Sequence, residues 1–151
     1  MFDVNGINVI LDYGHNIEGY KKVLPTLGSI SSGNITGVIG VPGDRNNYVA
    51  KEIGSISARY LDKIIIKEDK DRRGRESGEI PNLIKKGVLE VNKNANLNIV
   101  LDEVEALQMA LNESSKGDIV IVFFERLSPL IDYIKSNKNN DTDLGNVVNS
   151  N

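Results

Sequence analysis

The residues of this chain that could do chemistry fall in three short polar stretches, each directly after an apolar run. The first is Asp12-Tyr13-Gly14-His15-Asn16, after INVIL. Asp12 can accept hydrogen bonds from sugar hydroxyls. His15, the one histidine in 151 residues, can donate to a phosphate oxygen or change charge near neutral pH. The second, GVPGDRNN over 40–47, has Gly40 and Gly43, which let backbone come close to a ligand, and Asp44-Arg45 with opposite charges. The third is KEDKDRRGRESGE over 67–79; its window Lys67–Arg75 holds five positive and three negative residues, a net of +2 in an acidic chain. The guanidinium groups of Arg72, Arg73 and Arg75 suit phosphate or carboxylate, whereas Asp69 and Asp71 suit an amine or guanidinium.

Each stretch also has a plain structural reading. A lone surface histidine, a PGDR turn and a solvated charge run are common in proteins that bind nothing there. What ties them together is the element pattern. Asn5-Gly6 between Phe2–Val4 and Ile7–Leu11 predicts a hairpin, with a small antiparallel edge strand folded onto the first main strand. After it, strands and helices alternate. The spacing predicts a helix over 16–27, N-capped by Asn16 and bent at Pro25, with Val23 and Leu27 facing inward. Strand 35–41 and helix 47–61 follow, the helix with Val49, Ile53, Ile56 and Tyr60 on one side. Strand 62–67, helix 79–92, strand 97–101, helix 103–114 capped by Asp102, strand 118–124 and a helix over 128–136 complete the series. Strands separated by helices of this length mean βαβ crossovers. The expected fold is therefore α/β: a doubly wound, mainly parallel, Rossmann-like sheet of about five parallel strands plus the antiparallel edge strand. The IIIK and IVIVFF runs fit strands buried on both faces. In such a sheet the loops after the strands share one edge, so the three polar stretches become neighbours, with Glu125-Arg126 on the same rim. Residues 137–151, rich in Asn and without a core pattern, are expected to form a disordered polar tail.

Composition narrows the partners. Lys+Arg 18 against Asp+Glu 21 leaves a net charge of −3, which gives nucleic acid no basic field to find. The apolar runs are far shorter than the roughly 20 residues of a membrane span, and the amino end turns polar within a few residues, so neither a membrane segment nor a secretory signal is expected. With no cysteine there is no disulfide or thiolate chemistry, and a single histidine excludes a histidine cluster for a metal. The expected compartment is the cytoplasm. No Gly-x-x-x-x-Gly-Lys-Ser/Thr loop, Gly-x-Gly-x-x-Gly turn or Gly-x-Ser-x-Gly elbow occurs. The loops suit phosphate, but the phosphate cradle is missing, which reads as half of a site.

Those motifs in that order resemble the carboxyl-terminal domain of the Mur ligase superfamily, whose last domain opens with a strand ending Asp-x-x-His-Asn. Within it, DYGHNIEGYKKVL, GVPGDRNN and KEDKDRRGRESGEIPNLIKKG are most similar to the final domain of the cyanophycin synthetase family, over about residues 2–135. The resemblance implies a piece of an ATP-dependent ligase that adds arginine to the side-chain carboxylates of a poly-aspartate (cyanophycin) chain through an acyl phosphate. It implies ATP and Mg2+ as cofactors, the magnesium held mainly by a central domain over which this one closes. Asp12 would meet the ribose, with His15 and Asn16 near the phosphates or base. Asp44, Arg45 and the loop carrying Asp69, Asp71, Arg72, Arg73 and Arg75 would lie toward the incoming amino acid. The central and amino-terminal ligase domains, and the Gly-Arg hinge that family members carry just before this point, are not in the chain. The expectation is a folded piece that holds no complete catalytic set and is silent alone, from an enzyme that could be a homo-oligomer. The alternative is a stand-alone α/β module that binds a nucleotide or amino acid without catalysis. A receiver-like domain would want an acidic cluster after its first strand, where only Asp12 stands.

Overall fold

The computed structural model describes residues 1–137; of the tail expected over 137–151, all but Asn137 lies outside the described residues. The chain starts as a hairpin. β1 (Phe2–Val4) turns through Asn5 and Gly6, at φ of 53° and 87°, into β2 (Ile7–Asp12), with Val4 opposite Ile7. Two successive positive φ angles make the tight turn that Asn-Gly favours. A helix, α1 (Ile17–Leu27), and then four βα units follow: β3 (Ile35–Ile39), α2 (Asn47–Tyr60), β4 (Lys63–Ile66), α3 (Glu79–Val91), β5 (Leu97–Ile99), α4 (Glu103–Asn112), β6 (Ile119–Phe123) and α5 (Leu127–Ser136). The sheet order is β1-β2-β6-β3-β4-β5, parallel throughout except for β1. This is the expected sheet, with β6 inserted between β2 and β3.

Alternation along the strands assigns one set of side chains to each face. Ile119, Ile121 and Phe123 of β6 join Ile64 and Ile66 beneath α1, α2 and α3. Val120, Val122 and Phe124 join Val9, Leu11 and Ile65 beneath α4 and α5. The central strands are buried on both sides, as their unbroken aliphatic runs require. Each such side chain taken out of water contributes about 1.5–3 kcal/mol before entropy is counted.

Helix starts follow local chemistry. Asn16, Asn46 and Asp102 each accept a hydrogen bond from the backbone N–H three residues on, and so cap α1, α2 and α4. Pro25 lies inside α1. The inward face of α1 is Tyr20, Leu24 and Leu27, with Val23 only half-buried beside it. Tyr60, expected on the buried side of α2, is 44% exposed. The helix ends there, and the extended Leu61 that caps it turns into the core instead. β3 stops at Ile39 rather than at 41 because the next residue pairs elsewhere: the Tyr20 hydroxyl donates to the Gly40 carbonyl (2.9 Å) and accepts from the Gly40 N–H (3.1 Å). β5 likewise ends at Ile99, two residues early. Among the described residues no helix is long and apolar enough to cross a membrane.

Candidate functional site

The carboxyl ends of β2, β3, β4 and β6 open onto one cleft of about 280 Å3. The loop after β2 contributes Tyr13 and His15, and that after β3 Pro42, Asp44 and Arg45. Asp69, Asp71 and Arg73 come from the loop after β4, and Phe124 and Glu125 from the end of β6. The shared edge inferred from the strand pattern thus brings together His15, Asp44, Arg45, Asp69, Asp71 and Arg73.

One side of the cleft is aromatic. The exposed Tyr13 ring meets His15 edge-on (centroids 4.9 Å apart, 62°) and leans on Phe124 at 5.4 Å. His15 Nδ1 lies 2.8 Å from the Tyr13 carbonyl, which can only accept, so Nδ1 carries a proton. Nε2 is then an acceptor while the ring is neutral and donates to a phosphate only once the ring is charged. The opposite side is a chain of exchangeable ion pairs. Arg73 Nε donates to Asp71 (2.8 Å), its guanidinium also reaches Asp44 (3.2 Å), and Asp44 pairs with Arg45 (3.2 Å). All four side chains are at least partly exposed. Such pairs contribute only about 0–1 kcal/mol each, so a charged ligand can replace them at little cost.

Three of the side chains singled out from sequence, those of Asp12, Asn16 and Arg75, are spent at least in part on the protein itself. Asp12 accepts from the Gly14 N–H at 2.6 Å and shapes the turn that presents Tyr13 and His15. Asn16 is the α1 cap, accepting from the Gly19 N–H at 2.8 Å. Gly43 packs against the backbone of Arg72, where an added Cβ would overlap the Arg72 carbonyl, while the Arg72 side chain stays exposed. The close approach that Gly43 permits is therefore to its own chain. Gly40 likewise accommodates the stem of Lys67. Arg75 ties the second and third loops together. Its Nε donates to the Gly43 carbonyl (2.9 Å), one terminal nitrogen to the Arg45 carbonyl (2.7 Å), and the other to Asn47 Oδ1 (2.9 Å) and Glu79.

Below the cleft is a buried cluster that sequence reading missed. The Lys67 ammonium, 2% exposed, donates to Asp69 Oδ1 at 2.6 Å and Glu103 Oε2 at 2.8 Å. Glu103 also accepts from the backbone N–H groups of Glu125 (2.7 Å) and Arg126 (3.1 Å). Glu125 in turn accepts from those of Lys70 (2.8 Å) and Asp71 (3.3 Å). The one available signal was a lysine directly after the aliphatic run Ile64–Ile66. Burial pushes the Asp69 carboxyl above the ordinary aspartate range; Lys67 pulls it back, and the charges of Glu125 and Glu103 push it up again. Burial likewise raises the Tyr20 hydroxyl, which stacks on Phe123 at 3.7 Å. Among the described residues no group of three or more His, Cys, Asp or Glu side chains is placed to hold a metal ion.

Known proteins are similar to this chain in sequence and in fold. The cyanophycin synthetase of Synechocystis sp. is 40% identical over 138 residues, and that of Geminocystis herdmanii is 40% identical over the same length. These alignments take in 91% and 89% of this chain, which spans only 16% and 15% of those relatives' lengths. The UDP-N-acetylmuramoyl-L-alanyl-D-glutamate–2,6-diaminopimelate ligase of Clostridioides difficile is 34% identical over 119 residues, covering 78% of this chain and 24% of that protein. Among solved structures, a murein peptide ligase from Psychrobacter arcticus superposes with a TM-score of 0.70 at 15% identity, over 99% of this chain and 30% of that one. The bifunctional folylpolyglutamate synthase/dihydrofolate synthase of Yersinia pestis, complexed with AMPPNP and a manganese ion, gives 0.56 at 20% identity, over 76% and 25%. Both structural likenesses support the fold. Residues 1–123 match the model of the Mur ligase, glutamate ligase domain. With most of its length so matched, the chain belongs to the Mur ligase carboxyl-terminal (glutamate ligase) domain family.

Proposed function

We propose that this chain is the closing domain of an ATP-dependent amide ligase of the cyanophycin synthetase kind. The observation that carries the proposal is the cleft itself, where an aromatic and histidine side faces a wall of opposed carboxylates and guanidinium groups. In the complete enzyme, ATP would phosphorylate a side-chain carboxylate of the poly-aspartate chain. The α-amine of arginine would then attack the acyl carbon, expelling phosphate and forming the amide. Asp12 keeps its second carboxylate oxygen for a ribose hydroxyl, and Asn16 keeps its amide N–H donors. His15, when charged, donates toward the phosphates. Asp69 and Asp71 would take the guanidinium of arginine, and Asp44-Arg45 with Arg73 its zwitterionic end. Arg75 acts through the loop scaffold rather than on the ligand, whereas the exposed Arg72 side chain stays with the loop proposed to meet the amino acid. The magnesium and the phosphate loop belong to the central domain that this reading requires as partner, in a cytoplasmic enzyme supplied with ATP.

The test is an NMR titration of the purified chain with ATP and with arginine, separately and together. ATP should shift resonances of residues 12–16, and arginine those of 44–45 and 69–73. No response to either at millimolar concentration would overturn the proposal. So would steady ATP hydrolysis by the chain that disappears in Asp12→Ala, since this reading leaves the chain without a catalytic set. Tight binding of arginine alone, without nucleotide, would favour a stand-alone binding module.

A further inference from the structure

Lys67 is a buried cation to which the proposed reaction gives no part. It directly follows Ile64, Ile65 and Ile66 of β4, with its stem lodged against Gly40 and its ammonium out of solvent. Stability alone does not account for it. A buried ion pair is often no more stabilising than apolar side chains of the same volume, because desolvation offsets the Coulomb attraction. The geometry does account for it. The ammonium grips Asp69 by Oδ1 only, which leaves Oδ2 for the cleft that Asp69 lines. Its second bond fixes Glu103, whose carboxylate holds the backbone of Glu125 and Arg126. Glu125 then holds the backbone of Lys70 and Asp71. The acidic wall of the cleft therefore hangs from one ammonium through three loops.

We infer that Lys67 is a positioning residue that keeps Asp69 ionised and aimed into the cleft, so that this wall can take a cationic group of the incoming amino acid. The inference rests on the proposed reading of the cleft for its purpose, though not for its test. Asp69 faces charge on every side. Lys67 lies beside it just after β4, Glu103 approaches from α4 and Glu125 from the end of β6. Asp44, Arg45, Asp71, Arg73 and His15 line the same cleft, and the Tyr20 hydroxyl, kept protonated by burial, lies behind it. Lys67 is the cation in contact with Asp69, and without it burial and two neighbouring carboxylates all favour the neutral acid.

The experiment is a carbon-detected NMR titration of the Asp69 carboxyl in the whole chain, comparing wild type, Lys67→Met and Glu103→Gln. Methionine follows the path of the lysine stem without its charge. Lys67→Met should raise the Asp69 titration midpoint, and Glu103→Gln, which removes a repelling carboxylate, should lower it. If Lys67→Met does not fold, Lys67→Met/Glu103→Gln restores the net charge of the buried cluster, and its midpoint should still lie above wild type. An unchanged midpoint in whichever of these variants folds overturns the inference. Arginine titrations above and below the measured Asp69 midpoint form a second arm. At a pH below the midpoint that the carboxyl titration gives for Lys67→Met, arginine affinity in that variant should fall about tenfold per pH unit. In an Asp69→Asn background the same change should have no such pH dependence. If wild type binds no arginine while the carboxyl midpoints still move as stated, the amino-acid reading fails and the role of Lys67 stands.

Discussion

Arg75 separates a ligand-reading arginine from a structural one. Removing its side chain in Arg75→Ala deletes the bonds to the Gly43 and Arg45 carbonyls, at 2.9 and 2.7 Å, together with those to Asn47 and Glu79. Charge-assisted bonds of this kind are worth about 1.5–3 kcal/mol when buried. Arg75 is 18% exposed and the carbonyls only partly covered, so about 1 kcal/mol for each is the better figure. The exposed Asn47 bond and Glu79 pair together add about 1 kcal/mol more. The expected loss is about 3 kcal/mol, or roughly 6–12 °C in thermal midpoint for a chain of this size. Urea denaturation of purified wild type and variant measures it, with the slope expected to stay constant. Arg75→Lys should recover less than about half, because one ammonium cannot reproduce the forked contact to two carbonyls. A stability within about 0.5 kcal/mol of wild type, combined with loss of arginine binding, would refute this reasoning and return Arg75 to the substrate loop.

Gly43→Ala should destabilise by about 1–3 kcal/mol in the same assay, since the new Cβ meets the Arg72 backbone carbonyl, which cannot rotate away as a side chain would. Tyr20→Phe keeps the ring stacked on Phe123 but removes the hydroxyl that serves both the N–H and the carbonyl of Gly40. A loss of about 1–3 kcal/mol is expected, and a neutral effect would mean water replaces it. Asp69 gives a pH signature. Its carboxyl lies above the ordinary aspartate value, so its contribution to stability is fully present below about pH 4 and is lost as pH rises through its folded value. Asp69→Asn should remove that fall from a plot of urea midpoint against pH; an identical slope in both proteins would contradict it.

What the sequence made legible is what depends on near neighbours along the chain. The Asn5-Gly6 hairpin, the Asn16 and Asp102 caps and the doubly buried strands are set within a few residues, by turn chemistry, orphan N–H groups and side-chain period. The shared edge was legible too, because parallel strands put all their following loops at one end. Strand order was not. The insertion of β6 between β2 and β3 pairs Ile119 with both Asn8 and Ile35 and so is decided by packing among elements distant along the chain. Within the cleft the same limit applies to single side chains. A loop position shows that Arg73 and Arg75 stand near the site, but not that one faces the opening while the other turns back to the Gly43 and Arg45 carbonyls. Residue type names the groups able to bind a ligand; the fold decides which of them remain free to do so. Lys67 is the sharpest case. Its role depends on Asp69, Glu103 and Glu125, which meet only after the crossovers through α3 and α4 have closed, so no local pattern could mark it as more than a charged residue following a strand.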